Sequence, residues 1–151
     1  MYVIRVTDYT NAVTGFSFLH ESGIGGAPKY GVVAQMPLTI LEGVNILDNL
    51  TYMQPRVQQD FASVGYYRSD LQNGVEVELA ASRHAGILQY TFPFAGDKIV
   101  HVDVSHHLPA MADAEPLKSQ TYSNGQLTVS DNGAQYTGWG VWKGGWNNGK
   151  S

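Results

Sequence analysis

The chain has 151 residues, of which 43% are hydrophobic and 15% charged, with a formal net charge of -4. That size and composition suit one globular domain and exclude a disordered chain. The acidic balance offers no basic patch to nucleic acid or an anionic membrane, and no apolar run approaches the ~20 residues of a membrane helix. Cysteine is absent, which removes disulfides, thiol catalysis and thiolate metal sites together. Met1 to Arg5 lacks the charged start and apolar core of a signal peptide, so the chain is either intracellular or does not begin at its natural start.

In chain order, Tyr2 to Thr7 is expected as a strand. Gly15 to Gly26 reads GFSFLHESGIGG, a glycine-rich loop in which Ser22 to Gly26 can bring main-chain N–H groups close to a ligand. It lacks the GKS/T and the Rossmann spacing of a phosphate loop. Tyr30 to Met36 is a second strand. Gly43 to Phe61 contains Pro55 and has no firm period, so at most a helical turn is expected there. It holds a glycosylation sequon, Asn49-Leu50-Thr51.

Three pairs, Asn73-Gly74, Asn124-Gly125 and Asn132-Gly133, suit two-residue type I′ turns. Val64 to Leu71 and Val75 to Ser82 are then hairpin partners, with Val77 and Leu79 inward and Glu76 and Glu78 outward. Gly86 to Phe92 follows and is ended by Pro93. Lys98 to Ser105 is expected to turn Val100, Val102 and Val104 inward and His101 and Asp103 outward. Further hairpins are expected from Lys118 to Ser130 and from Ala134 to Trp142. Short strands with Gly and Asn turns predict an all-β, antiparallel β-sandwich of meander hairpins and long loops. The domain is placed at residues 1–143, and 144–151 is read as a flexible tail or a cut end.

Several groups carry candidate chemistry. His20 beside Glu21 and Ser22 suits acid–base work, and equally suits an ordinary loop histidine. His101, Asp103, His106 and His107 suit a metal, but match no recognised spacing, so a polar strand edge is preferred and no metal is assigned. Tyr66, Tyr67, Trp139, Trp142 and Trp146 are candidate sugar platforms, with packing the simpler role for any one of them. Glu76 and Glu78 have the residue types of a glycosidase pair, yet two residues apart they read more simply as a solvated face. From the residues alone, an enzyme and a binding module stand equal.

The order of segments resembles the N-terminal domain of glycoside hydrolase family 92 α-mannosidases, of fungal type. Gly15-Phe16-Ser17, His20 and Ser22-Gly23-Ile24-Gly25 resemble the family's GFS-x-x-H-x-SG-x-G loop. Tyr30-Gly31 with Met36-Pro37, Gly65-Tyr66-Tyr67, the run Val77 to Arg83 with Gly86 and Tyr90 to Pro93, and Val102 to His106 are similar to later blocks in the same order. The resemblance implies a supersandwich-like fold and a secreted, calcium-dependent, inverting exo-α-mannosidase, commonly α-1,2, acting on mannose-containing glycans such as N-glycans. It implies that the catalytic carboxylates and the calcium ligands sit in a C-terminal helical barrel that no segment here resembles. No catalytic residue is therefore expected on this chain. The resembled loop implies substrate-binding roles for His20, Glu21, Ser22, Gly23, Ile24 and Gly25. Ile24 stands where many bacterial members carry threonine, and no counterpart of the family's earlier segment precedes Tyr2, so a fragment is expected. The alternative is a stand-alone, non-catalytic carbohydrate-binding or scaffold module.

Overall fold

The computed structural model describes residues 12–21, 29–106 and 120–144. Ten short strands and a single 3₁₀ turn make up the regular structure of these residues, so the all-β expectation holds. The chain divides into two compact units, Met1–Phe18 with Gln35–His101, and Leu19–Ala34 with Val102–Ser151.

The first unit is built on an antiparallel sheet of β4 (Phe61–Ser63), β5 (Tyr66–Asp70), β6 (Glu76–Ala81) and β7 (Gly86–Thr91), in that order. Period-two alternation gives it one dry face, because Tyr67, Ser69, Val77 and Leu79 are buried while their neighbours are not. That face packs on Met36 and Leu38 of β3 (Ala34–Leu38), with Phe16, Val13, Tyr52, Leu71 and Val75 completing the core. β3 is paired with β8 (Ile99–Asp103). Phe16 and Gln35 exchange both backbone hydrogen bonds at 2.8 Å, which fixes the GFS segment onto this core.

The second unit contains a hairpin of β1 (Leu19–Glu21) and β2 (Lys29–Val32), with a register irregularity between Leu19 and His20. It also contains the long hairpin of β9 (Gln120–Val129) and β10 (Tyr136–Gly144).

Several expectations are corrected. The strand predicted over Tyr30 to Met36 is two strands, broken at Val33, whose φ of 55° is rare for a β-branched residue. Neither Asn73-Gly74 nor Asn132-Gly133 is a type I′ turn: in each only the glycine has positive φ (82° and 68°), and Gly74 N donates to Leu71 O and Gly133 N to Ser130 O, which is a type I turn followed by a left-handed glycine. Asn124-Gly125 is no turn at all. It lies within β9, where Gly125 pairs with Gly140. A Cβ on Gly125 would meet Tyr122 Oη at 2.5 Å, and one on Gly140 would meet the Trp142 ring at 2.3 Å. These glycines make room for the edge-on Tyr122–Trp142 pair, so the two predicted hairpins merge into one. In β8 the predicted faces are exchanged: Val100 is 42% exposed, whereas Ile99 packs on the core and the His101 ring meets Tyr52 edge-on at 5.1 Å. The helical turn expected between Gly43 and Phe61 is Asn49–Thr51, capped by Asp48, whose side chain accepts from Leu50 N. The strand predicted over Tyr2 to Thr7 lies outside the described residues, and so does the tail predicted over 144–151 except for Gly144, which ends β10 opposite Gln120.

Candidate functional site

His20 and Glu21, predicted in a loop, lie on β1, where His20 is register partner of Tyr30 and Glu21 of Lys29. Ser22, Gly23, Ile24 and Gly25 lie outside the described residues, between β1 and β2 in sequence. The start of the same motif has a structural role, since Phe16 is 2% exposed and belongs to the core.

The two adjacent tyrosines separate by strand alternation. Tyr67 points into the core and donates to Asp60 Oδ2 at 2.6 Å, and the Arg56 guanidinium donates to the same oxygen at 2.7 Å. Tyr67 is therefore a packing residue and not a sugar platform. Burial, and then the bond to Asp60, push its phenol well above the ordinary tyrosine value. A proton affinity raised on folding means that the associated stability is complete below the unfolded value, about pH 10, and is lost as pH rises beyond it. Urea unfolding between about pH 8 and 11.5 is expected to show falling stability above about pH 10, with a shallower fall in Tyr67→Phe. An unchanged alkaline slope in that variant would contradict the assignment.

Tyr66 faces the other way and joins a network across the outer side of the sheet. Its hydroxyl donates to Glu78 Oε1, which holds Tyr66 above its usual value, and Gln89 donates to Glu78 Oε2 at 3.1 Å. Arg68 pairs with Asp70 at 3.2 Å and with Glu76, and Gln58 donates to Asp70. Glu76 and Glu78 thus share a face as predicted, but each is engaged by a neighbouring side chain. Phe61, 59% exposed, stands 6.0 Å from the Tyr66 ring at an interplanar angle of 57°. Gln58, Gln59, Phe61, Tyr66, Arg68 and Asp70 line an open cleft of about 330 Å³ on this side. Sequence reading singled out Tyr66 and missed the rest of the lining. The available signal was the run of polar outer positions, Arg68, Asp70, Glu76 and Glu78, in two alternating strands.

Among the described residues, the histidine cluster does not assemble as a ligand set. The His101 ring lies against Tyr52, and Asp103 Oδ1 accepts from Ser105 N at 2.8 Å and Ser105 Oγ at 2.6 Å. His106 is buried, and His107 lies outside the described residues. Among the described residues no group of three His, Cys, Asp or Glu side chains is placed to hold a metal ion. On β10, Trp142 meets Tyr122 edge-on at 5.8 Å and Trp139 is 52% exposed, while Trp146 lies outside the described residues.

A β-rich chain with the GFS-x-x-H segment running from the core into β1 is the setting in which the comparisons with known proteins fall. The chain belongs to the glycosyl hydrolase family 92 N-terminal domain family, whose profile matches residues 6–151. It is similar to an uncharacterized secreted glycosidase of Arthroderma benhamiae, 31% identical over 86 residues, which are 54% of this chain and 11% of the relative. The chain therefore spans only a small part of that relative's length. No solved structure matches. No helix among the described residues is long and apolar enough to cross a membrane.

Proposed function

We propose that this chain is the substrate-lining, non-catalytic N-terminal part of a secreted, inverting exo-α-mannosidase, commonly α-1,2, that trims mannose from glycans including N-glycans. The observation that carries this reading is the family match over residues 6–151, within which the histidine motif leads into the β1–β2 hairpin. In this reading His20, Glu21, Ser22, Gly23, Ile24 and Gly25 shape and position the terminal mannose. The C-terminal helical barrel supplies the acid that protonates the leaving oxygen and the base that activates water on the opposite face of the ring. In this reading the calcium ion belongs to that barrel.

The exposed apolar side chains of the 40–50 segment support a further domain. Ile40, Leu41, Ile46, Leu47 and Leu50 are 52 to 90% exposed, the kind of surface that another part of a protein covers. Residues 1–143 are proposed as the folding domain, with 144–151 leading out of it.

The purified chain is expected to release no aryl alcohol from an aryl α-mannoside, with or without calcium; turnover would overturn the non-catalytic role. In a family 92 enzyme carrying this chain as its N-terminal part, His20→Ala is expected to lower kcat/KM about 100-fold by loosening substrate position. Unchanged kinetics would remove the hairpin from the sugar site. The alternative of a stand-alone carbohydrate-binding module, which rests on exposed aromatic side chains such as Trp139, predicts tight binding of mannose oligosaccharides by the chain alone.

A further inference from the structure

We infer that the outer side of the β4–β7 sheet carries a separate binding site for a neutral hexose or a short neutral oligosaccharide, seated on Phe61 and held by Gln58, Arg68 and Asp70. The sugar class rests on membership of a glycosidase family and not on the mannosidase reading or on the β1–β2 hairpin.

Three observations converge. First, register places Phe61, Tyr66, Arg68, Asp70, Glu76 and Glu78 on one side of the sheet: Phe61 is opposite Arg68, Arg68 opposite Glu78, and Asp70 opposite Glu76. Burying a phenylalanine would be the ordinary use of such a ring, yet Phe61 is 59% exposed beside its tilted partner Tyr66. A ring left open in this way matches the apolar C–H face of a pyranose.

Second, the polar groups around the ring are planar and already oriented by one another. Gln58 holds Asp70, Asp70 and Glu76 hold Arg68, and Glu78 is held by Tyr66 and Gln89. Side chains fixed before a ligand arrives lose little rotamer freedom on binding. Sugar hydroxyls both donate and accept, so a carboxylate and a guanidinium side by side suit adjacent hydroxyls on one ring.

Third, charge selects the sugar. Asp70, Glu76 and Glu78 outnumber Arg68, so a phosphate or a uronate is repelled while a neutral ring is not. The cleft of about 330 Å³ sits at the lower end of ligand-sized cavities, which suits one or two hexose rings.

The test is an amide-resolved NMR titration of the ¹⁵N-labelled chain with methyl α-mannoside, with mannose 6-phosphate in parallel. The expected result is millimolar affinity, with shifts centred on residues 58–70 and extending to Glu76, Glu78 and Gln89. Phe61→Ala and Gln58→Ala are both exposed changes that leave the fold intact, and each is expected to weaken binding about tenfold. Phe94→Ala, at a fully exposed ring outside the cleft, is expected to leave binding unchanged. Shifts confined to residues 19–32, no shifts, or equal binding of mannose 6-phosphate at the cleft would each overturn this inference. The first of these would leave the proposed function standing. Concentration-dependent dimerisation abolished by Phe61→Ala would assign the face to a second copy of the chain and overturn the inference too.

Discussion

Asp60→Ala is expected to destabilise the first unit by about 3–5 kcal/mol, as found when one partner of a buried ion pair is removed. Asp60 Oδ2 is the shared acceptor of Arg56 and Tyr67, and the side chains of Arg56 and Asp60 are only 6% and 4% exposed. Truncation leaves the guanidinium in the protein interior without its carboxylate and strips the phenol of its acceptor. Asp60→Asn retains a neutral acceptor and is expected to cost less. The double change Arg56→Met with Asp60→Leu is expected to recover much of the loss, because paired charges replaced by apolar groups also remove the cost of burying the charges. Urea denaturation of the four proteins decides the matter. A loss below about 1 kcal/mol for Asp60→Ala would mean that water enters and solvates Arg56, against the burial seen here.

Phe16→Ala is expected to cost about 3–5 kcal/mol, the loss of a large ring from a close-packed core together with the cavity it leaves. Phe16 is 2% exposed and lies 6.4 Å from the Tyr67 ring, among residues of β3, β5 and β6. Phe16→Leu, which refills most of the volume, is expected to lose less than about 1.5 kcal/mol. The same truncation at Phe61, 59% exposed, is expected to change stability by no more than about 0.5 kcal/mol. Thermal or urea melts of Phe16→Ala and Phe61→Ala test this contrast directly; equal losses would contradict the burial assigned to the two rings. It also separates the two halves of the GFS-x-x-H segment, whose phenylalanine holds the core while its histidine is placed on β1.

The strand alternation of Val75 to Ala81 was legible from sequence because side-chain direction there follows from backbone period alone. Val77 and Leu79 are buried, and Glu76 and Glu78 face out, as that period requires. Tyr66 and Tyr67, being adjacent on one strand, had to face opposite ways, and a sequence reading that kept both as platforms ignored that constraint. Asn124-Gly125 misled for a different reason. Asn-Gly favours a turn only where the chain must reverse, and here Gly125 serves the rings of Tyr122 and Trp142. The face assigned to β8 failed because a run of valines looks inward by hydrophobicity, while packing against Tyr52 was available to His101.

By itself the sequence determined an all-β chain, the polar outer and apolar inner faces of the central hairpin, and membership of a glycosidase family through the order of its blocks. These depend on local periodicity and on motif order, which a linear chain carries in full. The tertiary structure alone decided that Arg56, Asp60 and Tyr67 meet in the interior, that the GFS segment docks on Gln35, and that Phe61, Tyr66, Arg68 and Asp70 line one cleft. Those groupings arise from strand register and from which face is buried. Alternation sets the two faces of one hairpin, but which distant strand lies beside it, and in what register, is decided by packing, and a one-residue shift there would reverse every side chain.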